Sequence, residues 1–290
     1  MSVGAGAPVA VAVHGGAGRR SKPDYGPERT FLAQLASKAW RRLIEGRAAL
    51  DVVTEAVQAL EASGLFMAGR GARPGSTGLY ELDASLMDGP GRRAGAVAAL
   101  KGYESPILAA REVMEQSPHV LLVGEGAEAF AHKRGLTRIA DEAVWYAAPG
   151  VLETATPGHG TVGCVALDDQ GRLAAATSTA GTNGKLWGRV GDSSLIGAGT
   201  WADETAAISC TGLGEAFIRS AAASQLALRL RLTDEPLADA ADAVLAEVKA
   251  AGGTGGLIAI DRKGGIVAPC TAEFMAFACA GADGVMRAEA

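Results

Sequence analysis

The apolar positions of this chain change rhythm about halfway along. Val9 to Val13 is an unbroken run of small apolar residues, which predicts a strand buried on both faces. His14-Gly-Gly-Ala-Gly18 then predicts a flexible loop. Leu32, Leu35, Ala36, Ala39 and Leu43 recur at helical spacing and predict a helix over Thr30–Glu45, closed by Gly46. Val53, Val57 and Leu60 repeat the pattern in a helix over Asp51–Ser63 that stops at Gly64. Ser105 suits an N-cap and Pro106 a first helical position, so a third helix is expected to reach Gln116. A strand over His119–Val123 and a helix over Gly126–Lys133 follow.

From Gly135 to Gly160 the periodicity fades. Prolines, glycines and Thr154-Ala-Thr-Pro-Gly-His-Gly160 mark a loop or linker. Beyond it the rhythm is that of strands. Thr161–Leu167 and Leu173–Thr179 flank the turn Asp168-Asp-Gln-Gly171 and predict a hairpin. Ala206–Thr211 predicts a strand that leads through Gly212 and Gly214 into a helix from Glu215, and Pro236–Ala250 predicts another helix. Leu257–Asp261, Ile266–Cys270 and Glu273–Ala280 predict a closing antiparallel meander. The first half thus reads as mainly helical after one strand, and the second as strand-rich. Such a division suggests stacked layers of sheet and helix, not alternating βαβ units.

Composition narrows the class. Hydrophobic residues are 48% and charged residues 20% of 290, which fits a folded globule of one large domain or two small ones. The 40 glycines follow no repeat and imply many tight turns. A formal net charge of −5 with no basic run gives a nucleic-acid backbone little reason to bind. No stretch reaches the roughly 20 apolar residues of a membrane span. The N-terminal MSVGAGAPVAVAVHGG lacks the basic start of a signal peptide and is expected to be a first strand. Cys164, Cys210, Cys270 and Cys279 form no CxxC pair and sit in apolar runs, so buried structural thiols and a cytoplasmic location are expected.

Several chemistries drop out. The four histidines, His14, His119, His132 and His159, form no HExxH, HxH or Cys/His cluster, so no transition-metal site is expected. There is no GxSxG elbow and no GxxxxGK[ST] loop. The HGGAG run follows a strand but lacks the GxGxxG spacing of a phosphate loop. What remains is a dense set of Thr, Gly, Arg and Asp in the second half.

A threonine hydroxyl is a poor nucleophile without an adjacent base. An N-terminal threonine carries one, because its α-amino group titrates near 7.7–8.0, close to working pH. A cut between Gly160 and Thr161 would create it. Glycine puts no side chain beside the scissile carbonyl and can adopt strained backbone angles. On spacing alone, the plainer account is that Thr161 simply opens a strand. Arg189 and Asp192, three apart in a glycine-rich loop, suit the α-carboxylate and α-amine of an amino acid, and equally suit a local surface ion pair. Thr211 and Gly212 could form an oxyanion hole, or an ordinary strand-to-helix turn.

The strings HGGAG, ELDASLMDG, GAVAAL, HGTVGCVALD, ATSTAG, GKLWGRVGDSSLIGAGTWA, CTGLGE and GGTGGLIAIDRKG, in this order over nearly the whole chain, resemble the plant-type L-asparaginases with isoaspartyl peptidase activity. The resemblance implies an α+β fold, the four-layer αββα sandwich of the N-terminal nucleophile hydrolases, as a single domain over 1–290. It implies self-cleavage into pieces 1–160 and 161–290. Thr161 would be the nucleophile of both cleavage and turnover, and Thr179 would hydrogen-bond and tune it. Arg189 would hold the substrate α-carboxylate. Asp192, helped by the Gly214 carbonyl, would hold the α-ammonium, and Thr211 and Gly212 would form the oxyanion hole. The substrates implied are L-asparagine and β-aspartyl dipeptides. No catalytic cofactor is implied, but a structural sodium ion in the loop after Leu60 is, and so is a homodimer of precursors that becomes (αβ)2. A glycosylasparaginase-like amidase and a non-cleaving, aspartate-binding homologue are the alternatives.

Four departures stand out. Phe66-Met-Ala-Gly69 replaces FNAG, so Met67 cannot make the hydrogen bonds of an asparagine. Trp187 replaces a proline before GRVGDS, and Pro269-Cys-Thr-Ala-Glu-Phe-Met275 replaces a PFNTEGM-like block. The linker before Thr161 is also short for the family.

Overall fold

In the computed structural model, residues 8–19, 24–146 and 159–289 are described. Among them twelve strands run in chain order: β1 (Ala10–Gly18), β2 (Leu82–Asp88), β3 (Arg93–Leu100), β4 (Leu121–Val123), β5 (His159–Leu167), β6 (Leu173–Thr182), β7 (Thr200–Ala202), β8 (Ala206–Gly212), β9 (Gly255–Asp261), β10 (Ile266–Val267), β11 (Phe274–Ala280) and β12 (Met286–Glu289). The helices are α1 (Gly26–Ile44), α2 (Ala49–Ser63), α3 (Pro106–Gln116), α4 (Gly124–Lys133), α5 (Glu142–Trp145), α6 (Gly214–Ser220), α7 (Ala222–Leu232) and α8 (Leu237–Ala250).

The strands form two sheets. One has eight strands in the order β12-β11-β1-β5-β6-β2-β3-β4, and the other has four in the order β10-β9-β8-β7. Side-chain alternation along β1 shows how they stack. Val11 and Val13 join Leu32, Leu43, Val53, Val57 and Leu60 in a core against α1 and α2. Ala10 and Ala12 point the other way and meet Ile258, Ile260 and Met275 in the core between the sheets. A third core packs Ile208, Cys210 and Leu257 against Phe217, Leu226 and Val244 of α6, α7 and α8. The layers are therefore helix, sheet, sheet, helix: the αββα sandwich.

Four expectations need correction. His14–Gly18 is not a free loop, because β1 continues to Gly18, with a register irregularity between His14 and Ala17 and Gly16 at φ 109°. The first half is not mainly helical after one strand: β2 and β3 are also long strands of the large sheet. Both are buried on both faces and rich in small apolar residues, so the alternation is confined to Asp83 and Ser85 of β2. The closing segments are not one meander. β9 and β10 pair in the small sheet, whereas β11 lies beside β1 in the large one. Cys164, Cys210 and Cys279 are buried, but Cys270 is only half-buried. Residues 147–158 of the linker lie outside the described residues. Its earlier part holds α5, capped by Asp141, whose Oδ1 accepts from the Ala143 and Val144 amides.

Candidate active site

β5 and β6 are central neighbours in the large sheet, and Thr161 sits directly opposite Thr179. Period-2 alternation turns both toward the small sheet, and both are buried. The Thr161 hydroxyl donates to Thr179 Oγ1 at 3.2 Å. The Thr179 hydroxyl donates in turn to the Gly160 carbonyl oxygen at 2.6 Å, while its oxygen accepts the Gly181 amide at 2.9 Å. The chain thus links one threonine hydroxyl, through a second, to the carbonyl it would attack.

Gly160 has a steric reason to be glycine. An added Cβ would overlap the Met67 side chain. Gly160 is not among the positive-φ glycines, so the expectation of a strained backbone gives way to one of close contact. Met67 is fixed from the other side, where its carbonyl accepts the Ala180 amide at 2.9 Å.

Arg189 and Asp192 meet across a glycine-lined loop. A Cβ at Gly214 would fall 2.8 Å from Asp192 Oδ1 and 2.9 Å from Arg189 Nη2, so only glycine fits between them. Arg189 forms a fork with Glu215 of α6, Nε to Oε1 and Nη2 to Oε2, each at 2.9 Å. Burial raises the Asp192 carboxyl to about 7, against the lowering pull of its own amide and of Arg189, with Glu215 and Asp83 pushing the same way as burial. Thr211 Oγ1 accepts the Ala17 amide at 3.1 Å, which leaves its hydroxyl proton free to point elsewhere. Gly212, at φ 146°, follows it. One cleft is lined by Gly160, Thr161, Thr179, Arg189, Asp192 and Gly212, with Gly181, Thr182, Gly191 and Ser193. Thr211 and Gly214 stand immediately behind it.

Several residues of the site escaped the sequence reading. Both carboxylate oxygens of Glu81 accept the Gly188 amide, at 3.3 and 3.2 Å, and the Glu81 carbonyl accepts Lys185 Nζ at 3.0 Å. Asp83 lies beside Thr179 in register and accepts the Ala99 amide at 2.8 Å. Burial raises its carboxyl, opposed by the charges of Lys185 and Arg189. Between the sheets, hydroxyls run from Ser209 through Thr177 and Thr200 to Ser85 at 2.7–2.8 Å per link, and His14 Nε2 meets Ser209 at 2.9 Å. Burial pushes His14 down to about 3, so the ring is neutral. The available signal was polar residues alternating on one face of apolar strands, as Asp83 and Ser85 do in ELDASLMDG. Trp187, flagged for its place near Arg189, is largely exposed at the rim.

A buried threonine pair on adjacent central strands of an αββα sandwich, one hydroxyl aimed through the other at the preceding carbonyl, defines the N-terminal nucleophile hydrolase class. The chain belongs to the asparaginase family, whose family model matches residues 7–288. It is 45% identical to an isoaspartyl peptidase of Salmonella typhimurium strain LT2 (91% of this chain, 93% of the relative). It is 44% identical to an isoaspartyl peptidase of Escherichia coli K12 (91% and 90%) and 38% identical to a plant-type L-asparaginase of Pyrococcus horikoshii (93% and 95%).

Proposed function

We propose that this chain is an isoaspartyl peptidase and L-asparaginase that activates itself by cleavage between Gly160 and Thr161. The observation that carries the reading is the hydroxyl chain from Thr161 through Thr179 to the Gly160 carbonyl. In the uncut chain, Thr161 Oγ1 attacks the Gly160 carbonyl carbon while its proton passes to Thr179 and the Thr179 proton moves toward the carbonyl oxygen. The Gly160–Thr161 C–N bond then breaks, its nitrogen takes a proton, and an ester on Thr161 Oγ1 remains. Water hydrolyses the ester, leaving a carboxylate on Gly160 and a free α-amino group on Thr161.

That amine is the base for turnover. It takes the Thr161 hydroxyl proton as Oγ1 attacks the side-chain carbonyl of L-asparagine or a β-aspartyl dipeptide. Arg189 holds the substrate α-carboxylate in place of Glu215, and Asp192, with the Gly214 carbonyl, holds the α-ammonium. Thr211 Oγ1–H and the Gly212 amide receive the oxyanion. The C–N bond breaks, the departing ammonia or amino acid takes the proton from the Thr161 amine, and water releases aspartate from the acyl-enzyme.

No catalytic cofactor enters these steps. A structural sodium ion in the loop after Leu60 belongs to this proposal on the strength of the family resemblance alone. Pairing of two precursors, giving (αβ)2, is supported by the apolar edge strand, where Val120, Leu121 and Val123 are exposed. Free thiols at all four cysteines support a cytoplasmic location, and no described helix is long and apolar enough to cross a membrane.

The test is the intact mass of fresh protein and of protein held at neutral pH, beside Thr161→Ala. Two fragments meeting at Gly160/Thr161 in the wild type alone support the proposal, whereas a persistent single mass in both sinks it.

A further inference from the structure

The hydroxyl chain between the sheets is built from two rows in register. His14 of β1 and Thr177 of β6 both stand opposite Gly163 of β5, and Thr177 stands opposite Ser85 of β2. The three polar side chains thus share one row across the large sheet. Thr200 of β7 and Ser209 of β8 are partners in the small sheet, and they interleave with that row. His14 Nε2 meets Ser209 at 2.9 Å, Ser209 meets Thr177 at 2.8 Å, and Thr177 meets Thr200 at 2.7 Å. Thr200 meets Ser85 at 2.8 Å, and Ser85 meets the Ser193 carbonyl oxygen at 2.7 Å. All of these side chains are fully buried. Gly163 leaves room for the crossing, because a Cβ there would overlap Ser209 Oγ and His14 Nε2.

Counting protons gives the chain a direction. Each of the five contacts needs one proton, and a buried contact without one would be costly. A hydroxyl has one to give and a carbonyl has none. Ser85 must therefore donate to the Ser193 carbonyl, Thr200 to Ser85, Thr177 to Thr200 and Ser209 to Thr177. The remaining proton, on the contact with Ser209, has to sit on His14 Nε2. Burial keeps the ring neutral, which leaves Nδ1 bare, and Nδ1 makes no hydrogen bond among the described residues. The far end of the chain lies in the recognition loop. Ser193 follows Asp192, whose own carbonyl accepts the Leu195 and Gly199 amides.

Resting on the proposed function, we infer that His14, Ser209, Thr177, Thr200 and Ser85 are positioning residues, one directed chain that seats the Asp192 turn against the strand of the nucleophile. His14 heads the chain as the Nε2–H tautomer. None of the five side chains lines the amino-acid cleft, so they act through Ser193. A buried donor on the Ser193 carbonyl holds Asp192 where a substrate α-ammonium needs it. Breaking a link leaves an unmade hydrogen bond in the core, and the turn shifts to relieve it. Self-cleavage runs through Thr161 and Thr179 and bypasses the chain.

The test reads tautomer and affinity separately. Nitrogen NMR of the histidine-labelled protein, with the His14 ring identified by its absence from His14→Gln or by elimination of the other rings, should show a proton on Nε2 and none on Nδ1. Thr177→Val keeps the shape but cuts the chain. KM for L-asparagine and Kd for L-aspartate should both rise about tenfold, with kcat within about threefold and self-cleavage retained. Ser209 is then free to donate to the ring, so the Nδ1–H tautomer should appear. Thr177→Ser should restore tautomer and affinity to within about twofold of wild type. Ser85→Ala, at the other end, should weaken both affinities about fivefold and carries the test if Thr177→Val fails to fold. A proton on Nδ1 in the wild type, or affinities unmoved in a folded variant, overturns the chain alone. Cleaved wild type that neither hydrolyses L-asparagine nor binds L-aspartate overturns the reading of the site and the positioning role with it.

Discussion

The two halves of the cleft are built differently. The Thr161–Thr179 pair hangs on the main chains of two central strands, and Thr179 is satisfied on every side: by the Thr161 hydroxyl, the Gly181 amide and the Gly160 carbonyl. The Arg189–Asp192 pair hangs on a loop. Its arginine is engaged by Glu215, and Asp192 Oδ2 is buried without a hydrogen bond among the described residues. The reacting half is complete without substrate. In the proposed function, a substrate carboxylate would replace Glu215 on Arg189 and a substrate ammonium would satisfy Asp192. Under the proposed function, the contrast assigns rate to the sheet and selectivity to the loop.

The largest expected effect breaks the reacting half. Thr179→Val keeps the shape of the strand but removes the hydroxyl link, and self-cleavage followed by mass spectrometry should slow by about 100-fold or more. Cleavage at the wild-type rate would remove Thr179 from the pathway. Next, Arg189→Lys keeps the charge but loses the fork, so kcat/KM for L-asparagine should fall by about 30-fold. Cleavage should slow far less, and equal losses in both would erase the distinction between the halves.

The third effect is one of pH. Burial puts Asp192 at about 7, and it must be ionised to hold an ammonium. KM for L-asparagine should therefore fall by about tenfold from about pH 6 to about pH 8. The same shift acts on stability. The folded chain holds this proton more tightly than the unfolded chain, so the contribution is full below the ordinary carboxylate range and is lost as pH rises through about 7. Asp192→Asn should accordingly raise the melting temperature more at pH 8 than at pH 5, and an equal gain at both would place the group in a wetter setting. Glu61 belongs to the same test from outside the cleft. Buried and raised to about 7, it anchors the start of α3 through the Ser105 hydroxyl and the Ile107 amide. The smallest effect belongs to Glu215→Gln. Freeing Arg189 from a half-exposed carboxylate should lower KM by about threefold, within the worth of such ion pairs. An increase in KM would make Glu215 a support for Arg189 and not its competitor.

Much of this site was legible in order along the chain. Thr161, Arg189, Asp192, Thr211 and Gly212 were candidates by residue type and spacing, with a plainer account open at each, and the family resemblance chose among the accounts and added Thr179. Asp83 and Glu81 were not, although they sit in a quoted string. Their partners, Lys185, Gly188 and Arg189, lie about a hundred residues away, and nothing local marks that pairing. The strands β2 and β3 were missed for a related reason. Both strands are buried on both faces, so small apolar residues dominate them, and in β2 only Asp83 and Ser85 mark a period of two.

The sequence by itself determined the amphipathic helices, the β5–β6 hairpin, and the kinds of group available for chemistry. Local periodicity, turn residues and motif spacing are written in neighbouring positions. Only the tertiary structure decided that Met67 rests on Gly160, that Glu215 holds Arg189, and that Ala17 of the first strand supports Thr211, 194 residues further along the chain. Those are contacts between segments distant in sequence. They arise when two sheets close face to face and burial sets which charges meet and which protons are held.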